Sequence, residues 1–399
     1  MTSDPHGMAT AKAFIRLAGA GAWQRRMAEF GQIAAAGPHV RRAVTLRHGL
    51  ELSLDRMARG PARTLGAGEQ RVMDLARETV AAHAALPAAG RERLAALLRA
   101  CLSGDGTLIP LFHLMRTAAL QRARGFVVTF AGLAEGAPFD LLLERDGIEA
   151  EVVCDVVSAE DGRDLHRGAW VRLMDRVDPD LQTWLSNHPG RYLLKLTLPG
   201  GLRTDIGHQD LLAALHGRIR AMLSAQRRAD HDEAAVLRLD PLMLAGAQAG
   251  ELGLLPSLRR EFGHEAHLAV TEAGGGVFVM AARAGRGNEV AVAIRRRMAA
   301  IAPARLTGTR PGILAMFVED TDRAEWRHLR ERLELEGEAR QFLTFPEARA
   351  VVAVTCASRL ELLGATAPDA AEEGELRFRN PSHPSAKAPA LAPAVLSSL

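Results

Sequence analysis

The chain has 399 residues, 48% hydrophobic and 24% charged, with a net charge of +3 at pH 7, which is ordinary for a soluble globular protein with room for two or three domains. No apolar run approaches the roughly 18 residues that cross a bilayer, and the N-terminal stretch, interrupted by Arg16, does not read as a secretory signal, so no membrane association is expected. Three dispersed cysteines, Cys101, Cys154 and Cys356, exclude a disulfide framework or zinc ribbon and point to a reducing, cytoplasmic compartment.

Residues 1–106 are alanine-rich and predict helices over 9–36, 68–85 and 90–102, punctuated by Gly60-Pro61 and Leu86-Pro87. A helix over 111–124 then leads into a first strand. Two further strands follow, 139–144 and 148–157, joined by Arg145-Asp146-Gly147, whose Asp-Gly is a hairpin signal. Strand alternation places Glu149, Glu151, Val153, Asp155 and Val157 on one face, with Ala150, Val152, Cys154 and Val156 on the other. Asp140 and that acidic face can therefore meet on one side of a sheet, an arrangement that invites Mg²⁺. Without a cation the two like charges, Asp140 and Asp155, would repel, and at least one is expected to have a raised pKa.

The remainder alternates between the two kinds of element. Helices are expected over 162–177, 208–228, 251–262, 288–302 and 323–336, and strands over 191–198, 235–244, 266–272, 276–282, 313–319 and 349–357. Such alternation predicts an α/β unit. From residue 365 the periodicity fades, and after Asn380-Pro381 the Pro-, Ala- and Ser-rich composition predicts an irregular, disordered tail over 365–399.

The acidic hairpin resembles the PD-(D/E)xK, or restriction-endonuclease-like, nuclease superfamily, whose core carries an Asp on one strand and a Glu-x-Lys on the next. The resemblance implies a mixed sheet flanked by helices over 107–364, following an N-terminal helical region over 1–106, with the strand 192–198 joining the sheet. Asp140 matches the first Asp. Aligning Val153-Cys154-Asp155 on the second motif leaves Val153 at the carboxylate and Asp155 at the lysine; starting at Glu151 recovers the carboxylate and puts Val153 at the lysine. Apart from Lys12 and Lys387, near the two ends, the chain has one lysine, Lys195. It sits in the strand 191–198 and is either an edge lysine reaching solvent or a migrated replacement.

The implied site is therefore Asp140, Glu151, Asp155 and Lys195, with Asp140 and Asp155 as metal ligands and Mg²⁺ required if the protein is active. The incomplete motif favours a nuclease-derived, catalytically inactive nucleic-acid-binding or structural module. The alternatives are an active Mg²⁺-dependent nuclease with a rearranged site and a protein-interaction scaffold without nucleic acid.

Between residues 281 and 310 stand Arg283, Arg286, Arg295, Arg296, Arg297, Arg305 and Arg310 against the single acid Glu289. This segment is either a set of solvated helix faces or an electrostatic footprint for the backbone of DNA or RNA. Arg163 and Arg167, four apart on a helix expected to open at Gly162, could join it. The segment on the same side as Asp140 would favour nucleic acid; scattered, it would favour the scaffold. Aromatics at 4% argue against single-strand binding by base stacking. Gly285-Arg286-Gly287 most simply feeds a helix capped by Asn288, with phosphate binding at that N-terminus as the alternative.

Overall fold

A computed structural model of the chain describes residues 5–60, 64–203, 209–242, 257–259, 261–263 and 265–398. In chain order the strands are β1 (Val127–Thr129), β2 (Leu141–Arg145), β3 (Ile148–Ser158), β4 (Arg191–Leu198), β5 (Ala229–His231), β6 (Val236–Pro241), β7 (His267–Ala273), β8 (Gly276–Ala284), β9 (Gly312–Glu319), β10 (Val351–Ser358) and β11 (Leu376–Arg379). They form two mixed sheets in two compact units. Residues 1–30, 47–161 and 291–399 make the first unit, and residues 31–46 and 162–290 make the second. The fold is mixed α/β, as expected, and no described helix is long and apolar enough to cross a membrane.

The first unit is built on a sheet of order β1-β2-β3-β9-β10-β11. The hairpin forms where the sequence places it: Arg145 pairs with Ile148, and Asp146 and Gly147 turn the chain with φ of 52° and 75°. Two consecutive positive φ values are the two-residue turn whose twist matches the strands, and Asp-Gly tolerates it at little cost. β3, β9 and β10 run parallel, and every residue of β9 and β10 is buried, as a strand covered on both faces requires.

One face of this sheet carries the N-terminal helices. Ala150, Val152, Ile313, Ala315 and Phe317 share a core with Phe14, Trp23, Leu54, Phe112 and Met115. Phe14 meets Trp23 and Phe112 edge-on, with ring centroids 6.2 and 5.6 Å apart. The helix Ile109–Ala123 lies deepest: even His113, Arg116, Thr117 and Gln121 are buried. His113 Nε2 bonds the Ala315 carbonyl at 2.8 Å, joining that helix to β9.

Three expectations change here. The span 107–364 is not one core, because residues 162–290 form a separate unit inserted between β3 and β9. The strand after the hairpin in the first sheet is Gly312–Glu319, not 192–198. The C-terminal stretch is also ordered: β11 pairs with β10, and Leu391, Ala394 and Val395 are buried in the same core as Phe112. Its Pro-, Ala- and Ser-rich composition obscured a few apolar anchors that suffice to dock it.

The second unit has a five-stranded sheet of order β5-β6-β4-β8-β7, in which β4 and β8 are parallel and the other pairs antiparallel. Alternation along β4 sends Leu194, Leu196 and Leu198 into a core with Leu173, Leu181, Leu215 and Phe278, formed with the helices Arg167–Asn187 and Gln209–Ser224. Leu193 lies on the opposite face with Val279 and Leu258. The helix expected over 251–262 falls largely outside the described residues.

Candidate functional site

Asp140 sits one residue before β2 and extends the hairpin ladder, its N–H donating to the Val152 carbonyl at 2.9 Å. That position sets the carboxylate beside β3, where Oδ2 accepts the Cys154 N–H at 2.7 Å. The other oxygen, Oδ1, accepts from Arg305 Nη2 at 2.9 Å. Arg305 also donates to the Pro138 carbonyl at 2.9 Å and the Cys154 carbonyl at 3.4 Å. One guanidinium thus uses its fixed fork to close the entrance to the hairpin.

The acidic face of β3 is served in the same way. Arg297 holds both oxygens of Asp155, with Nε to Oδ2 at 2.5 Å and Nη2 to Oδ1 at 2.9 Å. Arg310 Nε donates to Glu149 Oε2 at 2.5 Å, and its Nη1 lies 3.6 Å from Glu151 Oε1. Glu151 is wholly buried and accepts two bonds from Thr307, the N–H at 2.9 Å and Oγ1 at 2.5 Å. It pins the turn between the helix Val290–Arg305 and β9, where its own N–H also donates to the Pro311 carbonyl at 3.0 Å.

Asp140, Glu149, Glu151 and Asp155 therefore all meet partners from the single stretch 297–310, which follows from their sharing one side of the sheet. Asp140 has its pKa raised from the ordinary carboxylate value, and the chief cause is burial. Arg305 and the Cys154 N–H oppose that shift, while repulsion from Asp155 contributes least among the named causes. The raised value was anticipated, but desolvation leads where charge repulsion was expected to.

This arrangement does not fit Mg²⁺. The expected ligands, Asp140 and Asp155, have each oxygen engaged by an N–H donor, and among the described residues no group of three or more His, Cys, Asp or Glu side chains is placed to hold a metal. Two guanidinium ions supply the positive charge beside the carboxylates that a cation would otherwise bring.

Lys195 is elsewhere. Its strand, β4, belongs to the second sheet, where Nζ lies 3.3 Å from Asp240 Oδ2 and 5.6 Å from the ring centre of Phe262. The expectation that this strand joins the acidic hairpin in one sheet is corrected, because parallel pairing joins it instead to β8.

The arginine-rich segment is likewise divided. Arg295 pairs with Glu338 at 2.8 Å, and Arg296 and Arg297 lie exposed next along the same helix, Arg297 bound to Asp155. Arg283 and Arg286 belong to the second unit and are exposed. Arg163 and Arg167 are in that unit too, but not on one helix face: a short 3₁₀ turn ends at Gly162, and the helix begins only at Arg167. Arg163 is buried. Both arginines, with Arg259, act on His267, whose pKa is lowered to about 3 first by burial and then by these charges.

Thr307, Arg305 and Arg310 are the partners that the motif did not single out. The arginines were visible as charge, whereas nothing local marked Thr307. No protein-family model matches the chain, and neither does a curated protein or a solved structure.

Proposed function

We propose that the chain is a nuclease-derived module without catalytic activity, whose restriction-endonuclease-like core serves a structural or binding role. The observation that carries this reading is the pairing of Arg305 with Asp140 and Arg297 with Asp155, which occupies the two carboxylates that would have to bind a metal. The supporting topology is a mixed sheet flanked by helices, with Asp140 at the entry to one strand and Glu151 and Asp155 on the next. No lysine follows Glu151 on its strand, and Lys195 is committed to Asp240 in the second sheet. A nuclease of this type needs a cation to charge a water and to stabilise the departing phosphate oxygen, and a guanidinium locked onto a carboxylate supplies neither.

The same ion pairs bear on nucleic acid. Arg295, Arg297, Arg305 and Arg310 each hold an internal carboxylate, so a DNA or RNA backbone would compete with these contacts. This weighs toward the structural role and against a grip through Arg295–Arg297. The test is incubation of the purified chain with plasmid, linear duplex and single-stranded substrates in Mg²⁺ or Mn²⁺. No cleavage is expected; cleavage that disappears in Asp140→Ala would overturn the proposal.

A further inference from the structure

The second unit contains a cleft of about 280 Å³ at the C-terminal ends of the parallel strands β4 and β8. Register sets Thr197 opposite Arg283 there, and both line the cleft. Ala284 ends β8 opposite Leu198, and the residues after it, Gly285-Arg286-Gly287-Asn288, line the cleft as well. This loop is held at both ends. The Gly285 N–H donates to the Leu198 carbonyl at 3.0 Å, and its backbone runs so close to β4 that a Cβ would lie 2.9 Å from Pro199 Cα. Only glycine permits that approach. At the far end the Asn288 N–H donates to Glu265 Oε1 at 2.9 Å.

Arg283 and Arg286 project from this fixed frame. Both are exposed, and neither makes an ion pair with a described residue, in contrast to Arg295, Arg297, Arg305 and Arg310. Arg167, Arg163 and Arg259 lie close by: after burial, the leading cause, their charges lower the pKa of His267 to about 3. His267 Nε2 bonds the carbonyl of Leu165, itself a lining residue. Among the described residues that line the cleft, Arg283 and Arg286 are basic and Glu265 is acidic.

We infer that this cleft binds one phosphate group of a small phosphorylated molecule, anchored by Arg283 and Arg286. Planar guanidinium groups match phosphate oxygens bidentately. The volume lies near the lower end of small-molecule sites, about 300–1,000 Å³, which suits a mononucleotide-sized ligand better than a polymer. The inference is independent of the nuclease-like carboxylates, because every lining residue falls within 162–290.

The experiment is calorimetric titration of the full chain with inorganic phosphate and adenosine 5′-monophosphate, followed by labelled single-stranded and duplex DNA. Saturable binding of at least one small probe is expected, weakened at least tenfold in Arg283→Gln and in Arg286→Gln and unchanged in Arg295→Gln, with circular dichroism confirming the fold of each variant. Three outcomes would overturn it: no binding of either small probe at millimolar concentration, binding that survives the Arg283→Gln/Arg286→Gln double variant, or binding of DNA alone. The last would make the arginines a nucleic-acid surface.

Discussion

Arg297 grips Asp155 through two parallel hydrogen bonds, 2.5 and 2.9 Å long, across a sequence separation of 142 residues. Arg305, two helical turns further on, donates one bond to Asp140, whose other oxygen accepts from the Cys154 N–H. The carboxylates a nuclease would turn toward a metal are here part of what fastens the helix Val290–Arg305 over the sheet.

Removing Arg305 should therefore cost stability. Arg305→Ala leaves Asp140 Oδ1 and two carbonyls without their donor, a loss of about 1–2 kcal/mol given partial exposure of the pair. Arg305→Lys should recover less than half, because a single ammonium cannot reproduce the fork. Urea unfolding of the three proteins measures this, and equal stability of the lysine variant and the parent would contradict it.

Glu151 is expected to behave as a structural residue. Glu151→Ala removes both bonds that Thr307 donates, at about 1–2 kcal/mol because exposed Thr307 can turn to water and its hydroxyl also meets Thr309. Thr307→Val should remove part of the same interaction, so the double variant should fall short of additivity. Additive losses in a thermal or urea double-mutant cycle would show that the two residues do not act together.

Glu319, at the end of β9, has its pKa raised to about 7, by burial first and then by Asp320. A folded-state pKa above the unfolded value means the native state binds the proton more tightly. The stability this contributes is complete below the ordinary 4.5 and is lost as pH rises through about 7. Glu319→Gln should then gain stability relative to the parent over that window, on the order of 2–3 kcal/mol by pH 8. A difference between variant and parent that stays flat from pH 4.5 to 8 would rule out the shift.

His113 should show the opposite sign. Burial lowers its pKa to about 4, so its contribution is present above the ordinary 6.5 and is lost as pH falls toward 4. Its imidazole signals in nuclear magnetic resonance should not move between pH 8 and 5. A midpoint near 6.5 would place the ring in water and break its bond to Ala315.

The hairpin was legible because its signals are local: alternation over β3 and an Asp-Gly turn. Gly312–Glu319 was legible as a strand, but its parallel partner was not, since such pairing leaves no turn between neighbours and here spans an inserted unit. For the same reason Lys195 was read correctly as a strand residue and assigned to the wrong sheet. The charge excess of 281–310 was plain, yet its meaning depended on Asp140, Glu149 and Asp155, separated from Arg305, Arg310 and Arg297 by 165, 161 and 142 residues. Net charge along a segment reports how many arginines there are, not which acids they face.

The most direct measurement is Mn²⁺ binding, followed by electron paramagnetic resonance, to the parent chain and to the Arg297→Ala/Arg305→Ala double variant. With Asp140 and Asp155 held by arginine, the parent should leave Mn²⁺ free at concentrations where the double variant, its carboxylates released, binds the ion. Stoichiometric binding by the parent that is lost in Asp140→Asn would contradict the arginine-for-metal reading and restore a metal centre.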